Sequence, residues 1–213
     1  MGKYSKGILG SFNGLIGTVV GSTWKGIDYM RSRPKKSKKA ATAAQQHQRD
    51  AFKLVVEFLK PLTPVINVGY QRYQQQKSPM NTAVAYHLEN AVTGTHPLIG
   101  IDYSKVMLST GLLPAASTAA PVSATAMSVT FEWNNDADPD ATALTDTLTF
   151  VVYNPVKKRV AIATAAALRQ ELLYTMLLPA NFSGDEVQCY LLFVSDNGKQ
   201  VSNSIYMGAV EVA

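Results

Sequence analysis

The apolar residues of this 213-residue chain change period near residue 100. From about residue 40 to 92 they recur at helical spacing between proline corners. After residue 100 they alternate, as half-buried strands do. Phe52, Val55, Val56 and Leu59 stand at i, i+3, i+4 and i+7, which predicts one buried helical stripe. Thr42-Ala43-Ala44-Gln45 ahead of it fits a capping box. Pro61 is expected to stop that helix. Thr63-Pro64 and Ser78-Pro79 are expected to start others, with the hydroxyl residue as cap and proline in the first turn. Met80, Val84 and Leu88 make the next stripe.

From about residue 100 the candidate strands are 104–109, 126–133, 146–154, 158–163, 169–178, 186–195 and 200–211. Val129, Phe131 and Trp133 alternate with their neighbours, as do Leu148, Phe150 and Val152. Asp196-Asn197-Gly198-Lys199 reads as a hairpin turn. Pro139, Pro155 and Pro179 fall between strands, where a sheet tolerates proline. Residues 111–125 read as a loop or an extended edge. Short strands at this density predict a two-sheet sandwich of immunoglobulin or fibronectin-III type.

The first 39 residues form a third zone. Glycines 7, 10, 14, 17 and 21 would make a stripe on a helix, but each glycine costs a helix about 1 kcal/mol in water, so strands are the cheaper reading. Thr18–Trp24 and Ile27–Arg31 then flank a Lys25-Gly26 turn, with Ile27, Tyr29, Arg31 and Arg33 on one face. The expected fold is α+β: a glycine-rich hairpin and arm over 1–39, a helical segment over 40–99, and a β-sandwich over 100–213.

Charge divides along the same lines. Residues 1–100 hold 14 Lys and Arg against 4 acids, a net of +10, and residues 101–213 hold 6 against 11, a net of −5. The excess peaks at Arg31, Arg33, Lys35, Lys36, Lys38 and Lys39, a run without an acid. Such a run repels itself into an arm or grips an anion: nucleic acid, a membrane surface or the acidic half of a neighbouring copy, of which the membrane is the least expected. Trp24, Lys25 and Tyr29 would add aromatic and basic surface, and Tyr70 and Tyr73 further stacking platforms. Asn134–Asp140, with Asp136, Asp138 and Asp140, lacks the turn glycine and distant Glu of an EF-hand. It reads as a polar loop able to meet a basic arm.

No catalytic motif competes with these features. The chain has no G-x-S-x-G, phosphate-cradling loop or dinucleotide fingerprint. His47, His87 and His96 have no partner at metal-ligand spacing, and His87 reads as a packed helix residue. The lone Cys189 reads as a buried small hydrophobe. No enzyme activity, cofactor or metal is expected. The uncharged stretch Gly7–Trp24 is too polar and glycine-rich for a convincing signal peptide or membrane helix, which leaves a virion or cytoplasmic location as the expectation.

The segment Gly7–Arg31, through Gly14-Leu15-Ile16-Gly17-Thr18-Val19-Val20-Gly21-Ser22-Thr23-Trp24-Lys25-Gly26, resembles the start of an uncharacterised family of Bacteroidota proteins of about this length. Thr42-Ala43-Ala44-Gln45, Gln48-Arg49 and Phe52 extend the likeness. The pattern is also similar to phage-associated proteins with a fibronectin-like C-terminal domain. The resemblance implies a bacterial or phage origin and no chemistry. The expected function is a non-enzymatic structural protein that self-assembles, a virion or phage-like particle component. Its basic arm would dock on a neighbouring copy or on other particle proteins. The alternative is sequence-independent nucleic-acid binding by the same arm.

Overall fold

Lys25 and Gly26 both take positive φ, 49° and 80°. That is the geometry of a two-residue type I′ turn, whose twist matches the strands it joins. The computed structural model describes residues 2–4, 10–35, 39–73, 77–136 and 142–213. Around the turn, β1 (Lys3–Tyr4), β2 (Phe12–Ile16), β3 (Val19–Trp24) and β4 (Ile27–Ser32) form an antiparallel sheet in that order. Of the stripe glycines that are described, Gly14 and Gly21 lie in strands, Gly10 in a bend and Gly17 in the turn between β2 and β3, and none of these four is helical. At Gly21 a Cβ would stand 2.1 Å from the Phe12 carbonyl oxygen and 2.7 Å from its ring. The pairing of Trp24 with Ile27, Ser22 with Tyr29 and Val20 with Arg31 puts Ile27, Tyr29 and Arg31 on one face, as alternation predicted, and adds Trp24 of β3 to it. This sheet lies in the first of two compact units, Met1–Thr42 and Ala43–Ala213.

The second unit is α+β. It opens with α1 (Ala43–Leu59), a single 3-10 turn at Lys60–Leu62, α2 (Thr63–Gly69) and α3 (Pro79–Asn90). Ser78 caps α3 as expected, its Oγ accepting from the Asn81 amide at 3.2 Å. Thr63 does not cap α2. Pro61 ends α1 as expected: the α-helix stops at Leu59 and the chain tightens into the 3-10 turn, with Thr63 Oγ1 donating back to the Lys60 carbonyl at 2.7 Å.

The stripe of α1 is also rotated from its predicted position. Ala51, Val55, Phe58 and Leu59 are buried, whereas Phe52 is 52% exposed and Val56 37%. Two apolar faces overlap on this helix, and periodicity alone cannot choose between them. After α3 comes a hairpin absent from the sequence reading, β5 (Val92–Thr95) and β6 (Leu98–Ile101).

Two further sheets follow. β7 (Ser128–Glu132) pairs with β10 (Leu173–Leu177). β8 (Thr147–Asn154), β9 (Arg159–Leu168), β11 (Glu186–Val194) and β12 (Ile205–Glu211) form an antiparallel sheet in the order β12-β11-β8-β9. Between the two sheets lies one core, which includes Val129, Phe131 and Trp133 opposite Phe150, Val152 and Leu191. The arrangement is sandwich-like. On the other face of the larger sheet Val151, Tyr153, Tyr190 and Leu192 pack in a second core with Val55, Phe58 and Ile66 of the helices. The larger sheet is therefore buried on both faces, and β8 and β11 read as nearly unbroken buried runs.

Several predicted strands shorten or shift. Residues 104–109 form no strand. Tyr103–Lys105 is a 3-10 turn, and the chain after it is held by side chains: the Met107 amide donates to His87 Nε2 and the Leu108 amide to Ser204 Oγ. Residues 169–171 form another 3-10 turn, so β10 begins only at Leu173. β9 runs on to Leu168 past Ala165, which sits at φ +49°. The last strand starts at Ile205 after isolated pairing at Val201. Residues 111–125 are an extended edge, with Thr118 bridged to Trp133 and Val122 to Thr130. Pro155 and Pro179 fall between strands, Gly198 turns the last hairpin at φ +67°, and Pro139 lies outside the described residues.

His87 is a packed helix residue, 1% exposed. Its Nδ1 donates to the Ala83 carbonyl at 2.7 Å while Nε2 accepts from Met107, so the ring is neutral. Burial pushes its pKa below the usual value, partly opposed by the Ala83 bond. The unfolded chain then binds more protons than the native one below about pH 6.5, so this stabilisation is intact above that pH and falls as pH drops towards the native pKa. Unfolding titrations at pH 7.5 and 5.5 should show the loss, and His87→Gln should flatten it.

Candidate functional site

The predicted arm starts on β4. Arg31 and Arg33 are exposed, and the Arg33 amide donates to the Thr18 carbonyl at 2.8 Å, which carries strand pairing past the end of β4. Lys35 and Lys39 are exposed, while Lys36 and Lys38 lie outside the described residues. On the same sheet Trp24 is 51% exposed, Ile27 66%, Tyr29 43% and Met30 71%. Lys25 Nζ stands 5.2 Å from the Trp24 ring centroid, a cation–π contact at the hairpin tip. An open groove of about 1,320 Å³ runs along the sheet between Leu15, Val20, Met30 and Arg31. The described residues of this sheet form no buried apolar cluster of their own. Residues 1–42 carry nine Lys and Arg against the single acid Asp28, so the charge divides as +8 on the first unit and −3 on the second, a smaller contrast than the +10 and −5 on either side of residue 100.

Tyr70 is not a stacking platform: it is 2% exposed, with its hydroxyl donating to the Met107 carbonyl at 2.9 Å. In the acidic loop Asp136 is described, while Asp138 and Asp140 are not. Asp136 accepts from the Ser117 hydroxyl at 2.5 Å and from its amide at 3.2 Å, and these bonds hold its carboxyl below the usual range. It pins the extended edge to the end of β7 and remains exposed.

The fold brings two of the histidines together. His96 Nδ1 lies 2.7 Å from Asp50 Oδ2, and the His96 amide donates to His47 Nδ1 at 3.3 Å. No group of three His, Cys, Asp or Glu among the described residues could hold a metal. Cys189 is fully buried, and burial pushes its thiol up to about 12, which suits a small core hydrophobe.

Sequence reading missed a second exposed surface. On the outer face of the smaller sheet, Leu173 (51% exposed) and Leu177 (80%) project beside Thr175, with Glu132 paired to Leu173 and Val122 bridged to Thr130. Its signal was present: Leu173 and Leu177 bracket Thr175 at period two, opposite to Tyr174 and Met176. No described helix is long and apolar enough to cross a membrane.

A family model described as "Family of unknown function (DUF6266)" matches residues 11–208. No curated protein matches the chain.

Proposed function

We propose that this chain, which belongs to the DUF6266 family of unknown function, is a non-enzymatic structural protein that assembles with copies of itself as part of a virion or phage-like particle. One observation carries the reading. The N-terminal sheet exposes Trp24, Ile27 and Tyr29 on one face, its described residues form no buried cluster, and its unit bears a +8 charge. A few strands without a core are marginal by themselves, so such a sheet gains most by burying its apolar face on something else. The second unit, at −3, is the complementary surface that each further copy supplies. Contact between unlike surfaces is heterologous and builds rings or filaments. Phage or bacterial origin is part of the same proposal, motivated by the resemblance of residues 7–52.

Size-exclusion chromatography with light scattering, followed by negative-stain microscopy, tests it. Assemblies that grow with concentration and shrink as salt screens the charges are expected. A strict monomer at high concentration and low salt would sink the proposal. A second reading has its own support: Arg31 shares a strand face with Trp24 and Tyr29, the combination that tracks a nucleic-acid backbone and stacks its bases. Binding of single-stranded DNA that weakens steeply with salt and is lost on Arg31→Ala with Arg33→Ala would favour it.

A further inference from the structure

We propose that the joint between copies is antiparallel strand addition, with β4 of one copy pairing along the free edge of β10 in the next. The inference rests on the self-assembly reading and specifies which surface receives the N-terminal sheet.

Both strands end their sheets. Among the described residues, β4 is paired to β3 alone and β10 to β7 alone. They are matched in length, six residues and five. An unpaired edge strand presents a row of backbone donors and acceptors that a second chain can complete. Neither edge strand contains proline, β4 carries only Asp28 and Arg31 as charges, and β10 contains no charge at all.

The side chains fix direction. One face of β4 runs from apolar to basic, from Ile27 beside Trp24 at the turn, through Tyr29, to Arg31. The outer face of β10 runs the other way, from the acidic neighbour Glu132 at Leu173 to apolar Leu177. Glu171 and Asp136 lie close in sequence to that acidic end, and both are exposed. In each strand the apolar and charged ends are four residues apart, about 13 Å along a strand. Apolar meets apolar and basic meets acidic only if the two strands are antiparallel. Ile27 then lies opposite Leu177, Tyr29 opposite Thr175, and Arg31 opposite Leu173 with Glu132 one strand further. Parallel pairing would set Arg31 against Leu177 and Ile27 beside Glu132. The joined strands extend one sheet across two copies, and because donor and acceptor differ, one copy of the pair keeps its β10 edge and the other its β4 edge for the next.

Disulfide trapping tests register and direction together. Residues directly opposite across an antiparallel pair have Cβ atoms close enough for a disulfide, and the native Cys189 is fully buried and does not compete. All substituted positions are exposed, and circular dichroism of the reduced variants checks that they fold. The full chain carrying Ile27→Cys and Leu177→Cys, mildly oxidised, should give a ladder of dimers and higher multimers on a non-reducing gel. The ladder should collapse with reductant. Ile27→Cys with Leu173→Cys, the parallel register, should stay monomeric on the gel.

If the wild type assembles in solution but the first variant gives no ladder, the β4–β10 joint is wrong and self-assembly stands. The joint is equally wrong if the second variant cross-links as well, or if cross-links form only within one chain. If the wild type is a monomer, both proposals fall.

Discussion

Asp146→Ala should cost the protein about 3–5 kcal/mol in denaturant unfolding, because it strands a buried cation. Arg169 has no exposed surface, and Asp146 is 2% exposed. Arg169 Nε donates to Asp146 Oδ2 at 3.3 Å, one Nη donates to the Pro114 carbonyl at 2.9 Å, and the guanidinium carbon sits 4.0 Å from the Phe193 ring centroid. The other Nη has no hydrogen-bond partner among the described residues. Burial pushes the arginine pKa down and Asp146 opposes the shift, so removing the carboxylate leaves the unfavourable influence dominant. The same residues tie backbone together: the Arg169 amide donates to the Asp146 carbonyl at 2.8 Å, and Trp133 Nε1 donates to the Arg169 carbonyl at 2.9 Å. Replacing both partners by apolar residues of similar volume, Asp146→Leu with Arg169→Met, should recover most of the loss, since no charge then needs solvating. A loss below about 1 kcal/mol for Asp146→Ala would mean that water reaches the pair and screens it.

Phe58→Ala should cost about 3–5 kcal/mol, while Phe52→Ala, earlier on the same helix, should change stability by less than about 0.5 kcal/mol. Phe58 is 3% exposed and joins the helices to the large sheet. Its ring meets Tyr153 edge-on at 4.9 Å and approaches Tyr103 and His87, each at 6.2 Å. Truncation removes buried area and leaves a cavity that neighbours on separate elements cannot close. Phe52 is half-exposed, so its loss removes little burial. Equal effects at the two positions, read by urea denaturation, would place the helix on the sheet by the wrong face.

The Phe52/Phe58 contrast marks the limit of periodicity. The pattern correctly announces α1, and proline spacing correctly announces α2 and α3, because a Pro-bearing first turn and a Ser cap act within a single helical turn. The strand pairing of β3 and β4 is legible for the same reason: a Lys-Gly turn at positive φ is a local event. The α1 face that is buried is not local. It depends on Tyr153 and Tyr190, which stand far along the chain in β8 and β11.

The proposed interaction surface is legible by halves. Arg31, Arg33, Trp24 and Tyr29 declare themselves as a basic and aromatic cluster in sequence. Leu173, Leu177 and Glu132 do not, because they become one surface only when β7 and β10 pair across the intervening β8 and β9. The Asp146–Arg169 pair hides for a similar reason, its partners being 23 residues apart at the edge of a core.

By itself, then, the sequence determined the three helices, the β3–β4 and last-hairpin turns, most of the later strands and the uneven charge, all set by propensities and spacings that act over a few residues; the β5–β6 hairpin and the 3-10 turns at Tyr103–Lys105 and Arg169–Glu171 were not among them. The tertiary structure alone decided that one sheet is buried on both faces, which helical face covers it, and which leucines are left outside. Burial is a property of what packs opposite a residue, and for β8 and β11 that partner is a helical layer on one side and a second sheet on the other.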